Sequence, residues 1–109
     1  MPGTADDLDR LRPSEGARFL FELERVDEDS RQAHYQAWVL TPTGIHAYGA
    51  CLSEDATADL RLVSSAAPDD LATMLNTIAF LTARSAKGKR ADGLAPWPHR
   101  VLRWRGAGR

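Results

Sequence analysis

The stretch AHYQAWVLTPTGIHAYGACL, residues 33–52, decides how this chain folds. Two apolar, β-prone runs, Ala33–Leu40 and Ile45–Leu52, flank Thr41-Pro42-Thr43-Gly44, whose composition suits a four-residue hairpin loop. If Leu40 pairs with Ile45, then Trp38 meets Ala47, Gln36 meets Gly49 and His34 meets Cys51. Large side chains then sit opposite small ones. The opposite face carries Tyr35, Ala37, Val39, His46, Tyr48, Ala50 and Leu52. Both faces have aromatic or aliphatic content, and one helix covers only one of them. We expect the second face to be covered by the C-terminal tail or another subunit, or left open for a ligand. Tyr35, Trp38, His46 and Tyr48 are the candidate interface residues.

Working outward, Phe19, Phe21 and Leu23 alternate with Arg18, Glu22 and Glu24 from Ala17 onward, a pattern broken by Leu20, which predicts a half-buried strand before an acidic turn at Asp27–Ser30. After Ser53–Asp55, Ala58–Val63 predicts a fourth strand, with Leu60 and Leu62 opposed to Asp59 and Arg61. Pro68, Asp69 and Asp70 open a long helix, proline suiting its first position and the acids its positive end. Leu71, Met74, Leu75, Ile78, Leu81 and Thr82 form its apolar stripe, running to about Ala86. A loop is expected at Gly88–Gly93, then an extended segment around Trp97 fixed by Pro96 and Pro98, and a last short strand at Arg100–Trp104. At the other end, Thr4, Asp6 and Asp7 precede Leu8 and Leu11 and predict a short helix stopped by Pro13.

The expected architecture is α+β: an antiparallel meander sheet of four to five strands with one long helix packed on one face. Its units are an N-terminal arm or short helix (1–16), a compact domain (17–87) and a basic, Trp-containing C-terminal segment (88–109). The expected core is Phe19, Phe21, Leu23, Leu60, Leu62, Leu71, Met74, Leu75, Ile78 and Leu81. At 109 residues the chain holds one domain. It has no apolar run of the roughly 18 residues that a membrane span requires. An acidic opening and a lone cysteine, Cys51, argue for the cytoplasm.

The net charge of -1 conceals a division within the chain. Residues 84–109 hold eight basic side chains and one acid, whereas the preceding 83 residues hold fourteen acids and six arginines. Cationic and aromatic groups interleave in the tail: Lys87, Lys89, Arg90, Trp97, Arg100, Arg103, Trp104 and Arg105 are the candidate binding residues. Guanidinium groups grip carboxylate or phosphate, and indoles stack on bases or on other guanidiniums. The same residues also suit packing against, and pairing with, the acidic body.

Catalytic chemistry finds less support. His34 and His46 fall on opposite faces, and no CxxC or HExxH pattern supplies further metal ligands. A His34–Cys51 pair lacks an accompanying elbow or oxyanion motif, and the glycines do not form a P-loop. No cofactor, metal, catalytic residue or small-molecule substrate is inferred, and no motif assigns a family. The expected function is a non-catalytic protein-interaction module, a self-associating or adaptor domain working through the sheet face and basic segment. The alternative is a small nucleic-acid-binding protein that uses the same segment.

Overall fold

The computed structural model describes residues 5–106. The Thr4 cap, the Asp6 side chain and the terminal charge of Arg109 lie outside what is described. Within it the elements are α1 (Ala5–Arg10), β1 (Ala17–Asp27), β2 (Gln32–Thr41), β3 (Gly44–Ser53), β4 (Thr57–Leu62), α2 (Asp69–Ala91) and β5 (Arg100–Arg105). The sheet is open, antiparallel and five-stranded, in the order β4-β3-β2-β1-β5. The meander runs from β1 to β4. Then α2, about 35 Å long at 1.5 Å per residue, returns the chain to the far edge, where β5 joins β1.

The central hairpin adopts the register that side-chain size favours. Leu40 pairs with Ile45, Trp38 with Ala47, Gln36 with Gly49 and His34 with Cys51. Its loop is tighter than expected, because Thr41 and Gly44 themselves pair and leave Pro42 and Thr43 as the turn. The Arg12 guanidinium holds this turn from outside, donating to the carbonyls of Thr41 and Pro42.

One sheet face is closed by α2. Phe19, Phe21, Tyr35, Val39 and Leu52 meet Leu75, Ile78, Ala79, Ala83 and Ala86 in a dry core. Phe21 and Tyr35 pack edge to face with centroids 6.1 Å apart. The buried stripe of α2 differs from the expected one in its C-terminal half. Alanines 79, 83 and 86 face the sheet, while Leu81 is exposed, as is Leu62 of β4. The sheet supplies the bulk here through its aromatics, joined by Trp97 from the segment before β5, which is buried in the same cluster. Small residues on the helix therefore give close packing where a leucine would overfill the layer.

The expected loop at Gly88 is helix. Arg90, near the helix end, donates to Glu54 (2.6 and 3.0 Å) and to Glu28 (3.0 Å), tying α2 to both acidic hairpin turns. The helix ends at Ala91, and Gly93 follows its cap with a positive φ of 77 that suits a residue without Cβ. There the Leu94 N–H reaches the Lys89 carbonyl and the Gly93 N–H the Arg90 carbonyl.

The layer over part of the second face is the N-terminal helix. Leu8 of α1, with Leu11 beside it, covers Leu20, Trp38 and Leu40. Gly16, with φ 72, then turns the chain into β1 directly against the Arg105 carbonyl, where any Cβ would clash.

Candidate functional site

Among the described residues, α2 lies on one face and α1 over one end of the other, and the rest of the second face is uncovered. Strand alternation puts His34, Gln36, Gly49, Cys51, Asp59 and Arg61 on it. Glu24 is the extra residue where the β1–β2 register shifts between Leu23 and Arg25, so a bulge turns Glu24 and Arg25 toward the same area. Together with Trp38, Ala47 and Val63 these side chains line a groove of about 580 Å³ over β2, β3 and β4. The Gln36 amide donates to Glu24 (3.4 Å), and the Arg61 guanidinium folds over Gly49, where a Cβ would come within 2.7 Å of it. The groove thus has a partly apolar floor and a rim of alternating charge.

The groove holds one thiol, that of Cys51. Burial pushes the Cys51 thiol above its ordinary range, and the neighbouring Asp59 adds to the shift, with Arg25 opposing it. A thiol so placed stays protonated at neutral pH, whereas a nucleophile needs the thiolate. His34 is the Cα partner of Cys51 but lies on the opposite face from His46. The His46 Nδ1 donates to the Ser65 carbonyl (3.1 Å).

The structure divides the four candidate interface residues. Tyr35 is 2% exposed and donates its hydroxyl to the Pro98 carbonyl (2.7 Å); burial pushes its phenol up. It is a core residue. Tyr48 lies on the same face and accepts from the Ala67 N–H (2.9 Å), pinning the approach to α2. Trp38 is on the second face, covered by α1. Of the four, His46 and Tyr48 are half-buried, and Tyr35 and Trp38 belong to the interior of this chain.

The candidate binding residues of the C-terminal segment are scattered too. Arg90 is locked to Glu54 and Glu28, Arg105 pairs with Asp70 (3.2 Å), and Arg100 lies 3.8 Å from Glu22. Trp97 is buried in the core cluster that also holds Phe21 and Tyr35. Lys87 is exposed near the end of α2. Lys89 and Arg103 rim a narrower groove of about 260 Å³ between α2 and β5, floored by Ile78, Leu81 and Val101. In β5 alternation sends Arg100, Leu102 and Trp104 to the second face and Val101, Arg103 and Arg105 to the helix face. Trp104 is 59% exposed and Leu102 40%, and the outer edge of β5 is an edge of the sheet.

Sequence reasoning did not select Leu102, Glu24, Arg25, Asp59, Arg61 or Val63. Strand alternation could have flagged Leu102 as the neighbour of Trp104 across one face. The bulge at Glu24 and the pairing of Arg61 with Gly49 carry no local signal. Among the described residues no helix is long and apolar enough to cross a membrane. Compared with protein-family models, with curated proteins and with solved structures, the chain gives no match.

Proposed function

We propose that this chain is a non-catalytic protein-interaction module, a self-associating or adaptor domain of the cytoplasm, which docks through β5 and the open part of the second sheet face. The observation that carries this reading is the exposure of Leu102 and Trp104 side by side on an edge strand. An apolar pair beside unpaired backbone groups is what a protein partner covers and what an isolated monomer usually avoids. The groove over β2–β4 adds an amphipathic surface on the same face, and its mixed rim of Glu24, Arg25, Asp59 and Arg61 suits another protein better than a polyanion.

Nucleic-acid binding has weaker support from the geometry. Three of the arginines that would contact phosphate already face body carboxylates, and one of the two stacking tryptophans is buried. The two readings separate on salt. We expect single-stranded and duplex oligonucleotides to bind weakly even at low salt, while Trp104→Ala disrupts assembly measured by light scattering with the melting temperature retained. Tight oligonucleotide binding at physiological salt, falling log-linearly with salt and weakened by neutralising Lys89 and Arg103, would reverse the choice.

A further inference from the structure

We infer that the partner seated on β5 is a second copy of this chain, joined edge to edge in an antiparallel pair centred on Leu102 to give one continuous sheet. This rests on the interaction-module reading and names its partner.

The direction of the backbone groups comes first. The Leu23 N–H donates to the His99 carbonyl (2.9 Å), so the ladder between β1 and β5 turns the main-chain groups of 99, 101, 103 and 105 inward. Those of Arg100, Leu102 and Trp104 then point out from the sheet. The Leu102 carbonyl shows this directly: it accepts from the guanidinium of its own neighbour, Arg103 (3.0 Å), which reaches around the open edge. A second strand would replace that local contact with main-chain donors.

Register follows from side chains. A two-fold axis perpendicular to the sheet at Leu102 sets Leu102 against Leu102, Arg100 against Trp104 and Val101 against Arg103. The outward groups of Arg100, Leu102 and Trp104 in both copies then form about six main-chain hydrogen bonds. On the second face each Arg100 guanidinium lies against the partner's indole, a cation–π arrangement, and the two Leu102 side chains touch between them. Centring on Arg103 instead opposes the two Arg103 side chains and forms about four main-chain bonds. The strand is thus self-complementary in one register and self-repelling in the next.

The surroundings favour this edge over the other. α2 lies over β4 and β3, leaving Ala58 and Leu60 of the β4 edge half-buried beneath it and Leu62 exposed at its end. It stands back from β5, leaving the groove that exposes Leu81 on the helix side. At β5 both layers present apolar side chains to whatever pairs there: Leu81 on one side of the sheet, Leu102 and Trp104 on the other.

Sedimentation of the full chain from micromolar into millimolar concentrations should show a monomer–dimer equilibrium. Leu102→Pro removes an N–H that points away from β1, so it leaves the intrachain ladder intact and should weaken dimerisation by about tenfold or more. Register is tested by crosslinking in a Cys51→Ser background. Leu102→Cys sets two thiols across the axis, with Cα atoms about 5.5 Å apart, and should form an intermolecular disulfide under mild oxidation. Arg103→Cys should not. A dimer indifferent to Leu102→Pro, or faster crosslinking through Arg103→Cys than through Leu102→Cys, overturns the β5 pairing while leaving an interaction module in place. A chain that stays monomeric into the millimolar range overturns self-pairing outright. The interaction-module reading falls separately, by the oligonucleotide result above.

Discussion

The two faces of this sheet are built from the same β-prone residues but finished differently. On the helix face, 23 residues of α2 lie over Phe19, Phe21, Tyr35 and Val39, which are almost wholly removed from solvent. On the second face a six-residue helix covers Leu20, Trp38 and Leu40, and beyond it the sheet stays open as a groove on one side and an exposed Leu102–Trp104 pair on the other. The difference shows that alternation alone makes a strand two-faced, whereas the length and position of the covering helices decide which face holds the fold and which is available to a partner.

The largest expected effect tests the closed face against the capped one. Phe21→Ala removes a ring from the centre of the dry core and should cost about 3 to 5 kcal/mol in chemical denaturation. Trp38→Ala should cost less than that, because the short α1 can settle into the space and partly close the cavity. Equal losses would show that α1 is as firmly packed as α2 and would erase the contrast.

A smaller effect sharpens the phase of α2. Leu75 is 1% exposed and Leu81 50%. Leu75→Ala should lose about 2 to 5 kcal/mol, while Leu81→Ala should stay within about 0.5 kcal/mol in the monomer. If Leu81→Ala matched Leu75→Ala, the helix would be rotated toward the stripe that hydropathy alone suggests.

The smallest effect concerns the ends of the closed face, where Arg90 clamps both turns. The Glu54 carboxyl is held below its ordinary value of 4.5, first by the hydrogen bond from Arg90, with burial opposing and the charges of Arg90, Arg31 and Lys87 assisting. A carboxyl lowered on folding contributes stability above its unfolded value and loses it as the pH falls through the lower folded value. The melting temperature should therefore drop as the pH is taken below 4.5, and more steeply in the wild type than in Arg90→Met. The side-chain hydrogen bonds that lower Asp27 and Asp55, from Ser30 and Thr57, act in the same direction and leave the variant some slope. Identical profiles would show that the clamp contributes nothing to folding.

Much of the fold was legible because the strands obey a period of two and the hairpin matches large residues to small ones. One slipped position would have put Trp38 against a different neighbour and turned every side chain over. The meander, the long helix opened by Pro68 and the final strand all follow from patterns within a few residues. The candidate surface was less legible. The tail's cations are close in sequence, yet Arg90 belongs to a helix end facing Glu54, Arg105 faces Asp70, and Arg100 lies beside Glu22. Each of those partners is at least 35 residues away in the chain, a separation that no local pattern encodes.

By itself, then, the sequence determined the order of the strands and of the long helix, the hairpin register and, away from the bulge at Glu24, the face each strand residue takes, since these depend on local backbone geometry and side-chain alternation. Only the tertiary structure decided which helix covers which face, which stripe of α2 is buried and which arginines are already occupied. Those outcomes depend on volumes and charges brought together from opposite ends of the chain. Alanines 79, 83 and 86 lie inside because the layer beneath them is already filled by Phe19, Phe21 and Tyr35 of the sheet and by Trp97, and Leu102 and Trp104 lie outside because they sit on the face away from α2, beyond the Leu20, Trp38 and Leu40 that α1 covers.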